Sequence, residues 1–150
     1  MDAWPSVDHD NRGQAGDAPS GRHPYVYALI RVVPRVERGE CLNVGVVVYC
    51  RPCRFLDTRL DMDRPRLLAL APDLDLEAVA HRLDLIARVC AGDPTAGAIA
   101  GLTQAERFGW LIAPASTVVQ PGPVHAGLCD EPSATLERLF ETMVRTPRPT

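Results

Sequence analysis

The chain has 150 residues, a formal net charge of -3 and a sequence pI near 5.8, so a broad basic surface for duplex nucleic acid is not expected. Its length suits one domain, and an apolar content of 46% is ordinary for a soluble globular protein. All 16 lysine or arginine positions are arginine, which excludes Schiff-base catalysis and a P-loop lysine but allows bidentate recognition of carboxylate or phosphate.

Cysteine usage and the N-terminal sequence bear on the compartment. The 5 cysteines are an odd number, and the N-terminus lacks the basic start and apolar run of a secretory signal. We therefore expect a reducing cytoplasm. The longest apolar run, Val44 to Cys50, is far shorter than the ~20 residues that cross a bilayer, so no membrane insertion is expected.

The two ends of the chain differ from its middle in composition. Residues 1–24 are rich in Asp, Gly, Ser and Pro, with Trp4 as the only large apolar group, and this composition predicts a disordered tail. Residues 25–145 are predicted to form a single domain, and residues 146–150 a frayed end. No internal repeat or second domain is recognisable.

Strands are predicted where β-branched and aromatic residues dominate. The first three cover Tyr25–Val33, Val44–Cys50 and Phe55–Leu60. The second is apolar on both faces, which predicts a central position in a sheet, whereas the third alternates and suits an edge. A short fourth strand is predicted over Ser116–Gln120. The stretch Pro121–Cys129 is so rich in Pro and Gly that we expect it to be irregular.

Helices are predicted from capping residues and from apolar spacings of three and four. A short helix follows the Asp63 cap, a longer one begins at Asp73 or Asp75 and ends at Gly92, and a capping box starts a third at Thr103. The last helix opens near Pro132 and Ser133. The predicted fold class is therefore α+β, with a small antiparallel sheet of about four strands packed against two main helices plus short helices.

A charged loop from Pro34 to Asn43 joins the first two predicted strands. Long connections between core strands often carry binding groups, and two or three converging guanidiniums would make an anion site. The alternative is a solvated loop whose opposite charges pair with one another at little gain in stability. The candidate ligand-binding residues are Arg31, Arg35, Arg38, Glu40 and Asn43 around this loop, and Ser116, Thr117 and Gln120 in a second polar segment.

The second segment, Ser116 to His125, places hydroxyls, an amide and an imidazole beside rigid prolines. We expect both segments to meet over one end of the sheet. One hypothesis is a small hydrolase or group-transfer enzyme with His125 or Glu37 as catalytic base and Arg38 stabilising negative charge. We favour a binding or accessory module that holds an anion, because no nucleophile, base and orienting group match by spacing. Binding of single-stranded nucleic acid ranks last.

The cysteines offer weaker alternatives. Cys50 and Cys53 have C-x-x-C spacing, but a structural zinc needs two further ligands, for which only Cys41, Cys129 and His125 are available. A thioredoxin-like motif would precede a helix, whereas this one lies in a predicted turn between strands. A Cys129–His125 nucleophile is a third alternative, although thiols that fill space are commoner. We therefore expect no metal and no cofactor.

Two polar motifs together resemble one protein family. The pattern R-x-E-R-G-E-x-x-N-x-G covers residues 35–45, and the second motif covers residues 116–125, with Gly122 where Ser is usual and Ala126 where Thr is usual. In this combination, over Tyr25 to Val144, the chain is similar to the bacterial domain of unknown function 3037 family. The resemblance implies a cytosolic bacterial protein. Members of this family are often encoded beside proteins similar to HipA-type kinases, so the resemblance also implies such a kinase as a partner.

That resemblance carries no established activity or cofactor. The partners to expect are a HipA-like kinase, on the resemblance alone, and a phosphorylated or other anionic small molecule. Neither a membrane nor duplex nucleic acid is an expected partner, and self-association into a homo-oligomer is left open. The missing hydroxyls at Gly122 and Ala126 weaken any catalytic hypothesis that needs them.

Overall fold

The computed structural model of the chain describes residues 22–115 and 117–145. The predicted disorder of the tail up to residue 21 falls outside these ranges, as do Ser116 and residues 146–150. The described part begins just before the first strand, which includes His23 and Pro24.

Four strands form one antiparallel sheet in the order β3-β2-β1-β4. They are β1 (His23–Val32), β2 (Leu42–Cys50), β3 (Phe55–Leu60) and β4 (Val119–Cys129). The central position predicted for the second strand is confirmed, and so is the edge position of the third. β1 and β2 pair directly, and a bulge between Ile30 and Arg31 leaves Val44 without a register partner on β1.

The prediction that Pro121–Cys129 is irregular is wrong, because this stretch belongs to β4, an edge strand of 11 residues. Proline lacks an N–H, and an edge strand has one side on which no ladder hydrogen bond is required. A bulge opposite Leu29 absorbs the extra residues of β4 where Gly122 and Pro123 lie. The proline and glycine content therefore reflects an edge position and not the absence of a strand.

The predicted helices are confirmed, with their caps. α1 follows the Asp63 cap, and the side chain of Asp75, not Asp73, accepts the N-cap hydrogen bond of α2 from Ala78. Thr103 and Glu106 form the capping box of α3. The bounds are α1 (Arg64–Leu70), α2 (Leu76–Ala91), α3 (Gln104–Leu111) and α4 (Pro132–Met143), with short 3-10 turns at Val36–Arg38, Arg51–Cys53, Pro94–Ala96 and Ala98–Gly101.

Both faces of the sheet are covered by helices. Alternate residues of β1 point to opposite faces, so β1 contributes to the core on each side. Val26, Ala28, Ile30 and Val32 belong to the core beneath α1, α2 and α3. Tyr25 and Leu29 belong to a second core beneath α4, which packs over β2 and β3. The α+β class is confirmed: of the helices in the described residues, α4 lies on one side of the sheet and the others on the opposite side.

None of the helices in residues 22–115 and 117–145 has the length and apolar character that crossing a membrane requires.

Candidate functional site

The two loop arginines that were expected to converge on an anion are each paired with a carboxylate. Arg35 Nη2 lies 3.2 Å from Asp73 Oδ2. Arg38 donates two hydrogen bonds to Glu40, from Nε to Oε1 at 2.7 Å and from Nη2 to Oε2 at 3.1 Å. That pairing raises the pKa of Arg38 and lowers the pKa of Glu40. These pairs are exposed, so they contribute little stability, but they already supply each guanidinium with an anion.

A cavity of about 620 Å³ lies between this loop and the end of α1. Three carboxylates and two guanidiniums line it, so their charges nearly cancel. Such a lining does not favour a free anion over water. The residues at its wall are Arg35, Glu37, Arg38, Glu40 and the segment 69–73.

Arg31 is placed differently from the loop arginines. It lies near the end of β1 between Asn43 on β2 and Gln120 on β4, its two register partners. Its guanidinium covers Gly122, where a Cβ atom would lie 3.0 Å from Cζ and 3.1 Å from Nε. In residues 22–115 and 117–145 it has no ion pair, and its Nε is buried without a hydrogen-bond acceptor.

Three predicted ligand-binding residues surround Arg31 or lie beside its neighbours, and hydrogen bonds to the backbone hold their side chains. Asn43 Nδ2 donates to the carbonyl oxygen of Met143 at 3.1 Å. Gln120 Nε2 donates to the carbonyl oxygen of Thr117 at 2.8 Å, and Thr117 Oγ1 donates to that of Val119 at 2.8 Å. The structure thus brings Arg31, Asn43 and Gln120 side by side, while the predicted role of Ser116 falls on a residue outside the described ranges.

His125 lies elsewhere on the same face of the sheet. It pairs in register with Tyr27, and the two rings are 5.2 Å apart between centroids. Tyr27 precedes Arg31 by four residues, which places the imidazole about 13 Å up the strand at ~3.3 Å per residue. Glu37 lies in the 3-10 turn that follows the C-terminal end of β1, beyond Arg31. The structure therefore does not bring His125 next to Glu37 or Arg38, and their catalytic roles stay predictions.

The buried thiols are poor nucleophiles. Burial raises the pKa of Cys90 to about 12, and it also raises the pKa of Cys50 and Cys129. A thiol that stays protonated neither attacks nor binds metal readily. Cys129 is four residues from His125 along β4, or about 13 Å at ~3.3 Å per residue. Across the described part of the chain, no group of three or more His, Cys, Asp or Glu side chains could hold a metal ion.

Sequence reasoning missed the contribution of Gly122 and of Tyr27. On sequence alone Gly122 counts only as a lost hydroxyl, whereas its missing side chain is what lets the guanidinium of Arg31 lie against β4. The ring of Tyr27 contacts that of His125 at an interplanar angle of 34°, and it also stacks on Tyr25 at 6.1 Å between centroids. Both depend on the register of β1 with β4, which no local pattern reveals.

Comparison with known proteins gives one match. The sequence model of a family described as "Protein of unknown function (DUF3037)" matches residues 27–144, which contain all of β2, β3 and β4 and most of β1. No curated protein and no solved structure matches the chain.

Proposed function

We propose that this chain, which belongs to the DUF3037 family of unknown function, is a binding module whose ligand is a phosphate-type anion held by Arg31. One observation carries the proposal. Within the described ranges, the guanidinium of Arg31 has no carboxylate partner, and its Nε is buried without an acceptor. Arg31 as a whole is only half-buried, so an oxygen ligand would bind at the part of the guanidinium that remains exposed and not at the buried Nε.

The surroundings of Arg31 support an anion over a neutral ligand. A guanidinium presents parallel N–H donors that match two oxygens of a phosphate or carboxylate. The guanidinium lies against β4 at Gly122 and the side chain is half-buried, so less side-chain entropy would be lost on binding than for an exposed arginine. The amides of Asn43 and Gln120 flank it as further polar groups. A phosphorylated group on a partner protein is one source of such an anion, and a HipA-like kinase partner, proposed on the family resemblance alone, would supply one.

The enzyme alternative, a small hydrolase or group-transfer enzyme using His125 and Glu37 with Arg38, ranks second. His125 lies on β4, whereas Glu37 and Arg38 lie together in the 3-10 turn after β1, and Arg38 is engaged by Glu40. A general base acts within hydrogen-bond reach of the proton that it removes, or through one water molecule. This requirement favours binding as the function of the Arg31 site.

The experiment compares two arginine variants by calorimetric titration with inorganic phosphate and with phosphoserine. Arg31→Gln should weaken binding about 10- to 100-fold, the value of one or two lost hydrogen bonds to a charged group. Arg35→Gln, in which an exposed guanidinium paired with Asp73 is removed, is the matched control and should bind like the wild type. Gly122→Ala, which pushes the guanidinium away from β4, should give an intermediate loss.

Two results would overturn the proposal. Equal binding by Arg31→Gln and wild type would remove Arg31 as the anchor, and a loss confined to Arg35→Gln would move the anion to the loop cavity. Hydrolysis of p-nitrophenyl phosphate that is abolished in His125→Ala, with phosphate binding retained, would favour the enzyme alternative.

A further inference from the structure

An apolar groove lies on the other side of the sheet, between α2 and the start of β4. Its volume is about 320 Å³, within the range of small-molecule sites. The α2 wall consists of Asp75, Ala78, Val79 and Arg82, which share one helix face at spacings of three and four. Leu74 and the segment 117–119 complete the lining. We infer that this groove binds a small aliphatic carboxylate, with its head group on Arg82 and its alkyl chain along the apolar walls.

Arg82 has no anionic partner of its own. The neighbours that it could reach along α2, at spacings of three and four, are Ala78, Val79, Leu85 and Ile86, and none carries a carboxylate. Within residues 22–115 and 117–145 it forms no ion pair, and its Nε is buried without an acceptor. Arg88 on the same helix shows the contrast, because Asp84 accepts from its Nε at 2.9 Å.

The position of the Arg82 guanidinium is fixed by Trp110. The Cζ atom lies 5.2 Å from the centroid of the indole ring, a cation–π contact that restrains the cation. Trp110 itself lies outside the groove, whereas Arg82 lines it. Because Arg82 is half-buried with its Nε covered, a carboxylate would bind at the guanidinium N–H groups that remain exposed. The site therefore offers a planar, positioned cation beside an apolar surface.

The other end of the groove sets the orientation of the ligand. Asp75 lies seven residues before Arg82, about 10 Å away at ~1.5 Å per residue along the helix. Its carboxylate accepts the N-cap hydrogen bond of α2 from Ala78, so it is occupied and would repel a second anion. A carboxylate ligand is thus directed to Arg82, with its alkyl chain between Val79 and Val118.

The test uses octanoate and octanol, which share an alkyl chain and differ in charge. Trp110 is one of only 2 tryptophans, so Trp4→Phe leaves it as the sole fluorescent reporter beside Arg82. In this background octanoate should bind about 10- to 100-fold more tightly than octanol, as expected for hydrogen bonds to a charged group. Going from hexanoate to octanoate should tighten binding about fourfold for each CH2 group buried.

Variants separate the two halves of the site. Arg82→Gln should bind octanoate and octanol with about equal affinity, because the alkyl chain still binds but the charged partner of the carboxylate is lost. Ala78→Leu, at an exposed position on the groove wall, should abolish binding of both ligands without touching the core. Arg138→Gln, an exposed arginine on α4 across the sheet, is the matched control and should bind like the wild type. Calorimetry repeats each titration without relying on Trp110.

Equal affinity for octanoate and octanol in the wild type, or an unchanged preference in Arg82→Gln, would overturn the inference. Failure of both ligands to bind would also overturn it. The Arg31 site is independent, because it lies on the opposite face of the sheet. Phosphate titrations of Arg82→Gln and octanoate titrations of Arg31→Gln should each match the wild type.

Discussion

Replacing Gly45 by alanine tests how closely β2 and β3 pack beside the bulge. A Cβ atom at Gly45 would lie 2.3 Å from Leu60 Cδ2, 3.0 Å from the carbonyl oxygen of Arg59 and 3.4 Å from Ile30 Cβ. Overpacking of this kind costs about 1–3 kcal/mol. Alanine also reduces the entropy of the unfolded chain, which stabilises by about 0.4–1 kcal/mol. The free energy of unfolding should therefore fall by about 1–2 kcal/mol.

Urea denaturation followed by circular dichroism measures this change. With a slope of about 1–3 kcal/mol per molar urea, the midpoint should fall by roughly 0.5–1 M at an unchanged slope. Gly109→Ala is the matched control, because nothing lies within 4 Å of its added Cβ. Gly109 lies in α3, where alanine should stabilise by about 0.5–1 kcal/mol.

A double-mutant cycle identifies the cause. If the clash with Leu60 is responsible, Gly45→Ala should cost less in a Leu60→Ala background than in the wild type, with a coupling of about 1 kcal/mol. A neutral or stabilising Gly45→Ala would refute the reasoning, since it would mean that Leu60 rotates away freely and that the backbone at Arg59 yields.

Two further predictions concern a helix cap and the thiols. Thr103→Ala should lower the free energy of unfolding by about 1 kcal/mol at neutral pH, as measured by urea denaturation, because the capping box of α3 is lost. Hydrogen bonds from Thr103 lower the pKa of Glu106. The difference in unfolding free energy between wild type and Thr103→Ala should therefore shrink as the pH falls through that lowered pKa. A difference that stays constant with pH would contradict the role of the capping box. Iodoacetamide should label the exposed Cys41 and Cys53 first, and Cys50, Cys90 and Cys129 only after denaturation, as read by peptide mass spectrometry. Early labelling of Cys90 would contradict its burial.

The elements that sequence predicted well are those specified by local chemistry. Asp63, the Thr103–Glu106 box and Gly92 mark helix ends through hydrogen bonds to nearby backbone, so their signal is local. β1 and β2 were recognisable because both strands are buried on both faces. The fourth strand predicted over Ser116–Gln120 overlaps β4 only at Val119 and Gln120, and the rest of β4 was missed because propensity penalises proline and glycine without regard to whether a strand is central or at an edge.

The candidate site was less predictable because it depends on long-range pairing. The Arg38–Glu40 pair spans two positions and could be foreseen, but the Arg35–Asp73 contact joins residues 38 positions apart. The meeting of Arg31 with Gln120 and Gly122 likewise follows from the register of β1 with β4. Composition indicated the right residue types, and the pairing of strands in the sheet decided that Arg31, unlike Arg35 and Arg38, has no ion pair in the described residues.

The arginines named above therefore fall into two groups, according to whether a carboxylate lies beside the guanidinium. Arg35, Arg38 and Arg88 face carboxylates, whereas Arg31 and Arg82 lie on opposite sides of the sheet with Nε removed from water and no acceptor in the described residues.

Arg107 shares that unsatisfied Nε, but its Nη1 donates to the carbonyl oxygen of Leu102 at 2.6 Å and thereby ties α3 to the preceding turn. A structural role thus accounts for Arg107. It does not account for Arg31 or Arg82, whose guanidiniums rest on Gly122 and Trp110 without a hydrogen bond to either. Both side chains are half-buried, so part of each guanidinium remains open to solvent without a carboxylate beside it in the described residues. An anionic ligand would neutralise each charge at that exposed part.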